Sequence, residues 1–173
     1  MLEKTGTNRN PIPQIDYASL GVLVVEDTLY MANLLRSILS GLGIRHIFSA
    51  RSGEDALAIL AKGEIDFAIM DDLEPPLDGL SVVRALRTSE EERINSLPVI
   101  FVTTKRERRS IIEARDAGVT EILSKPFSAQ QMIERIDAML TKPRKIIRSS
   151  DFSGPDRRRR TANAEDKRRK SDS

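Results

Sequence analysis

The 173-residue sequence predicts an α/β fold: a doubly wound, five-stranded parallel sheet with helices on both faces. Three observations carry this. Five short runs rich in apolar and β-branched residues alternate with five stretches whose apolar residues recur at helical spacing. Most of those runs are apolar at consecutive positions, the pattern of strands covered on both faces. Four of the five run out into carboxylates, threonines or a lysine, and an open α/β sheet binds its ligands at that edge.

Taken in order, Val22-Leu23-Val24-Val25 is the first buried strand and stops at Glu26-Asp27. From Thr28 to Ser40, Met31, Leu34, Leu35, Ile38 and Leu39 share a helical face. Thr28 is placed to cap that helix, and Gly41 and Gly43 to stop it. His46 to Ala50 is a short second strand, in which His46 has no partner that suggests catalysis. Ser52 to Ala61 is a helix whose Ser52 and Asp55 resemble a capping box, closed by Gly63. Phe67-Ala68-Ile69-Met70 is the third strand. It ends at Asp71-Asp72, followed by two prolines and Asp78-Gly79, which is turn chemistry.

Leu80 to Arg87 is a third helix, then a polar loop runs from Thr88 to Ser96. Pro98 to Val102 is the fourth strand, ending at Thr103-Thr104. A helix from Arg106 to Ala117 stops at Gly118. Glu121-Ile122-Leu123 is the fifth strand and leads into Ser124-Lys125-Pro126-Phe127. Ser128 caps a last helix through Leu140, with Met132, Ile133, Ile136 and Leu140 on one face.

Composition narrows the chemistry. With no cysteine and a single histidine, a disulfide framework, a cysteine zinc site and a histidine-rich metal site are all excluded. No apolar run approaches the ~20 residues of a membrane span. The polar N-terminus has no apolar signal core, so a cytoplasmic protein is expected. The net charge of +2 is unevenly placed: residues 142–173 carry 12 basic and 5 acidic residues, the rest 16 and 21. The expected organisation is a polar arm over residues 1–18, one folded domain over 19–141 and a basic disordered tail over 142–173.

The strand ends bring Glu26, Asp27, Asp71, Thr103 and Lys125 to one edge. A charge on the last residue of a strand is often merely solvated. Three carboxylates together repel, however, and a hard divalent cation such as Mg²⁺ relieves them with oxygen ligands. A carboxylate beside such a cation can accept a phosphoryl group as an acyl phosphate. Lysine and threonine would then neutralise and hold the phosphoryl oxygens.

In these residues the sequence resembles a CheY-like receiver domain, the response regulator half of a two-component system with a flavodoxin-like sheet. The resemblance covers roughly residues 20–140. It rests on the acidic pair Glu26-Asp27, on Asp71 followed by Pro75 and Asp78-Gly79, on Thr103, and on Lys125-Pro126-Phe127. It implies that Asp71, rather than Asp72, is the phosphoacceptor. It implies Mg²⁺ held by Asp27, Asp71 and the backbone carbonyl of Leu73, with Glu26 acting mainly through water. Lys125 would contact the phosphoryl group, Thr103 would swing toward it, and the Lys125-Pro126 bond would be cis. Asp72, one residue on, should point elsewhere, because strand side chains alternate.

Two residues depart from the family pattern. Ile122 stands where the family usually has an aromatic ring that turns with the switch, so an aromatic-coupled switch is in doubt. Glu74 stands where the family usually has an apolar or neutral residue; it either adds charge to the pocket or is simply solvated.

The expected function is that of a stand-alone response regulator in a phosphorelay. It would take a phosphoryl group from a histidine kinase or phosphotransfer protein and signal by protein contact, without being an enzyme in the usual sense. The changing surface would be the helix from Arg106, the fifth strand and the last helix. The tail is too short for a DNA-binding output domain. Its clusters, Arg157 to Arg160 and Lys167 to Lys170, either attract an acidic partner or keep the chain soluble. Arg106, Arg108 and Arg109 pose the same choice. The alternative is a non-switching receiver-fold adaptor whose basic tail binds an acidic partner.

Overall fold

The structure, a computed structural model, describes residues 15–149 and 152–156. Five parallel strands form one sheet: β1 (Gly21–Val25), β2 (His46–Ala50), β3 (Phe67–Asp71), β4 (Val99–Thr103) and β5 (Glu121–Ser124). Their order is β2-β1-β3-β4-β5. This is the flavodoxin-like arrangement, in which the strand order reverses between β1 and β3. The helices are α1 (Leu29–Gly41), α2 (Gly53–Lys62), α3 (Gly79–Arg87), α4 (Glu92–Asn95), α5 (Arg108–Ala117) and α6 (Ala129–Thr141). The short α4 lies in the stretch expected to be a polar loop. A one-turn helix has little periodicity to read.

Strand alternation divides the core into two layers. Leu23, Val25, Ala68, Met70, Val99 and Phe101 face one side and pack with Leu60 of α2, Val83 and Leu86 of α3, and Ala114 of α5. Val22, Val24, Phe67, Ile69, Ile100 and Val102 face the other and pack with Leu35 and Leu39 of α1 and with Met132 and Ile136 of α6. Each fully buried valine, leucine, isoleucine, phenylalanine or methionine among them contributes about 1.5–3 kcal/mol. The four-residue apolar runs read from the sequence are thus central strands sandwiched between helices. Edge strand β2 is largely exposed, with His46 at the surface.

The helix starts follow their caps. Asp78 accepts from the Ser81 N–H at the start of α3. Ser52 accepts from the Asp55 N–H. Ser128 and Gln131 complete a capping box at α6. Thr28 occupies the N-cap position of α1, but its hydroxyl does not cap; it donates to Asp27 Oδ1. Gly79 is fixed by proximity rather than by turn geometry: a Cβ there would lie 2.0 Å from the carbonyl oxygen of Asp71. The glycine lets α3 start directly against the end of β3.

At the opposite pole, Arg87 is 4% exposed. Its guanidinium donates to the carbonyls of Gly118, Asn95 and Leu97 at 2.9, 2.9 and 2.8 Å. Burial pulls its pKa down to about 10. Part of the stretch expected to be a disordered tail is ordered here. β6 (Ile146–Arg148) and β7 (Ser153–Pro155) pair antiparallel. Arg148 donates to Asn95 Oδ1 at 2.8 Å, and Arg144 to Glu121 Oε1 at 2.9 Å. Composition predicted too little to bury, but Gly154 supplies close contact with Gly118 in place of side-chain bulk. The expected N-terminal arm likewise ends on the body: Tyr17 donates its hydroxyl proton to Asp137, and burial, then that bond, raises the Tyr17 pKa to about 12. The basic clusters at 157–160 and 167–170 lie outside the described residues.

Candidate functional site

The site forms because β1 and β3 are neighbours that end together. Val25 pairs with Met70, so the residues that follow, Glu26-Asp27 and Asp71, emerge side by side. Carboxylate oxygens of Glu26, Asp27 and Asp71 lie within 4.8 Å of one another. From the loop after β5, Lys125 Nζ reaches Asp71 Oδ1 at 2.6 Å and Glu26 Oε2 at 3.3 Å. The Lys125-Pro126 bond of that loop is cis. Among the described residues, three carboxylates meet one ammonium here, which leaves the cluster short of positive charge.

The electrostatics reflect that imbalance. Glu26 is 2% exposed. Burial, and further down the charge of Asp71, raise its pKa above 4.5, although the Thr28 N–H and Lys125 oppose the rise. Burial pulls the Lys125 pKa down, but hydrogen bonding and charge from Asp71 and then Glu26 outweigh it, and the ammonium is held above 10.5. Lys125 is therefore charged at neutral pH, and burial leaves the ionised Glu26 in need of compensation.

Leu73 has φ of +46°, and is the one non-glycine residue with positive φ among the described residues. Left-handed backbone at a leucine costs about 1–2 kcal/mol. It occurs two residues beyond Asp71, where the chain leaves the sheet for the Pro75-Pro76 turn. Backbone strain of this kind clusters at functional sites.

Thr103 ends β4 next to this cluster, where Asp71 pairs with its neighbour Val102. Its hydroxyl does not go to Asp71. It donates to Asp72 Oδ2 at 3.1 Å and accepts from the Lys105 N–H at 3.1 Å. Lys105 Nζ also meets Asp72 Oδ2, at 3.1 Å. Asp71 and Asp72 thus point to different partners, as strand alternation requires, but the partners of Asp72 were not legible in the sequence. Nothing in the spacing singles out Lys105.

An open cleft of about 540 Å³ lies beside the cluster, bordered by Asp27, Asp71, Asp72, Glu74, Thr103 and Lys105. Glu74 is exposed at its rim. Ile122 is half-buried and packs against the core layer that contains Phe101. So all the sequence-derived site residues, namely Glu26, Asp27, Asp71, Leu73, Thr103 and Lys125, stand at the C-terminal ends of the strands. The first three and Lys125 form one contact cluster, and Thr103 stands beside it with Asp72.

Residues 22–137 match the response regulator receiver domain family. Chemotaxis protein CheY of Pseudomonas aeruginosa is 36% identical over 121 residues, which are 70% of this chain and 96% of that protein. Chemotaxis protein CheY-3 of Vibrio cholerae is 32% identical over 124 residues, 72% of this chain and 94% of that one. Among solved structures, the receiver domain of the Francisella response regulator 1452 superposes with a TM-score of 0.63 at 28% identity, covering 71% of this chain and 97% of that one.

Proposed function

The chain belongs to the response regulator receiver domain family, and on that premise we propose that it accepts a phosphoryl group on Asp71 and signals by protein contact. The observation that carries the reading is the Asp71 carboxylate itself. It sits 2.6 Å from Lys125 Nζ and within 4.8 Å of the oxygens of Glu26 and Asp27.

The donor set fits Mg²⁺. It offers only oxygens, two of them from partly exposed carboxylates, and it is short of positive charge. Asp27, Asp71 and the Leu73 carbonyl would hold the ion, with Glu26 acting through water. A bound ion would neutralise the carboxylates and draw charge from the phosphoryl oxygens. The remaining chemistry belongs to this chain. An Asp71 oxygen attacks phosphorus, and a P–O bond to it forms. The bond to the donor, a histidine nitrogen or an acetyl oxygen, breaks, and its electron pair leaves with the donor. Lys125 exchanges its contact with the carboxylate for one with a phosphoryl oxygen. The Thr103 hydroxyl donates to another. The partner upstream is a histidine kinase or phosphotransfer protein.

The test is incubation with acetyl phosphate and Mg²⁺, read on a phosphate-affinity gel. Wild type and Asp72→Asn should shift, and Asp71→Asn should not. An unshifted wild type, or loss of the shift in Asp72→Asn alone, overturns the assignment.

A further inference from the structure

Beyond Asp71 itself, the hydrogen bonds around Thr103 single out a residue with no role in the chemistry just described. We infer that Asp72 is a positioning residue that holds the Thr103 hydroxyl away from Asp71 in the resting protein, so that phosphorylation must break the Asp72–Thr103 bond. The inference rests on the proposed role of Asp71.

A threonine hydroxyl has one proton. Here that proton goes to Asp72 Oδ2 at 3.1 Å. Thr103 is 3% exposed, so water has little access to replace the carboxylate. The hydroxyl oxygen also accepts from the Lys105 N–H. Lys105 closes the ring from its other end, with Nζ 3.1 Å from the same Asp72 oxygen. Thr103 is therefore held by both its donor and its acceptor capacity. Its backbone is tied to the site as well, since its carbonyl accepts from the N–H of Lys125 at 2.8 Å. A phosphoryl oxygen on Asp71 can gain the Thr103 proton only if Asp72 gives it up. The contact with a charged acceptor is stronger than one with a neutral acceptor, so Asp72 biases the resting state more than asparagine would.

A plain charge effect predicts something different. Removing any carboxylate near an anion-binding pocket strengthens anion binding, whatever Thr103 does. The two accounts separate in a double-mutant cycle. The probe is fluoroberyllate with Mg²⁺, a mimic of the phosphoryl group, and the readout is its dissociation constant by NMR titration of the full chain. Asp72→Ala should tighten binding about three- to tenfold, the range of one hydrogen bond. Asp72→Asn, which keeps an acceptor oxygen, should tighten it less. In a Thr103→Val background, Asp72→Ala should give little or none of the gain. Asp72→Leu repeats the measurement with a bulkier side chain if the alanine variant folds poorly.

Equal gains with and without the Thr103 hydroxyl, or equal gains for Asp72→Ala and Asp72→Asn, would overturn the latch in favour of charge alone. No gain would overturn both explanations for Asp72. A wild-type protein that binds no fluoroberyllate would remove the Asp71 reading and the latch with it.

Discussion

The two ends of the sheet both bury charge, and they handle it in opposite ways. At the N-terminal pole, Arg87 is surrounded by neutral acceptors: three backbone carbonyls take its protons at 2.8–2.9 Å. At the C-terminal edge, Glu26, Asp27 and Asp71 crowd together with Lys125 as the cation in contact with two of them. The first arrangement is complete within the chain. The second is improved by anything that brings positive charge or takes up a carboxylate oxygen. A buried charge with satisfied geometry points to a structural clamp. A buried charge among like charges points to a site for a ligand.

The largest expected effect breaks the clamp. Arg87→Met leaves three carbonyls without their donor and should cost about 3 kcal/mol or more in urea unfolding. Asp71→Asn, at the other end, should be neutral or stabilising without metal, because it relieves repulsion. If Arg87→Met loses under about 1 kcal/mol, the two ends do not differ as described.

A smaller effect sharpens the contrast from the other side. Mg²⁺ at tenfold its dissociation constant should stabilise the wild type by about 1.4 kcal/mol through mass action. Asp27→Asn should lose most of that gain, and Arg87 variants should keep it. Unchanged melting temperatures for wild type at millimolar Mg²⁺ would count against the donor set.

Beside Arg87 at the N-terminal pole, Gly118 caps α5 in left-handed conformation, with φ of +95°. A Cβ there would meet Arg87 Cγ at 2.8 Å and the Ser153 carbonyl oxygen at 3.0 Å. Gly118→Ala should therefore cost about 1–2 kcal/mol through backbone strain, with more from displacing Arg87. Phosphorylation of that variant should persist while it remains folded. Its loss with folding intact would show the poles to be coupled more closely than their contacts suggest.

The smallest effect is the pH dependence of Glu26. Its pKa in the folded protein lies above 4.5, so the native state holds this proton to higher pH than the unfolded chain. Without metal, stability relative to Glu26→Gln should therefore fall as pH rises from about 4.5 through the raised value, then level off. The measurement is the difference in unfolding free energy between the two proteins across that range. A difference that grows in favour of wild type would reverse the sign assigned to the cluster.

The sequence made the C-terminal edge legible and left the opposite pole obscure. Glu26, Asp27, Asp71 and Lys125 stand out together because several strand ends in order carry them, where a single charge at one strand end would be merely solvated. Arg87 carries no such signal. At the end of a helix, an arginine usually looks like a favourable partner of the helix dipole. That it turns inward to three carbonyls depends on loops brought together only by the fold. The same reason hid the Asp72–Thr103–Lys105 ring, in which Asp72 after β3 meets Thr103 and Lys105 at the end of β4. The β6–β7 pair was missed because composition describes what a segment can bury, not what surface it can find. The glycine pair Gly118 and Gly154 makes that surface close enough to use. The five βα units of the parallel sheet were read in their order because strand and helix patterns alternate regularly along that part of the chain.

The most direct test of the account asks which carboxylate reacts. The protein is phosphorylated with acetyl phosphate and Mg²⁺ and then reduced with borohydride, which converts an aspartyl phosphate to homoserine. The peptide between Lys62 and Arg84 contains Asp66, Asp71, Asp72 and Asp78. Fragment mass spectrometry of that peptide should place homoserine at position 71 alone. Homoserine at position 72, where the structure directs the carboxylate to Thr103 and Lys105, would contradict the account.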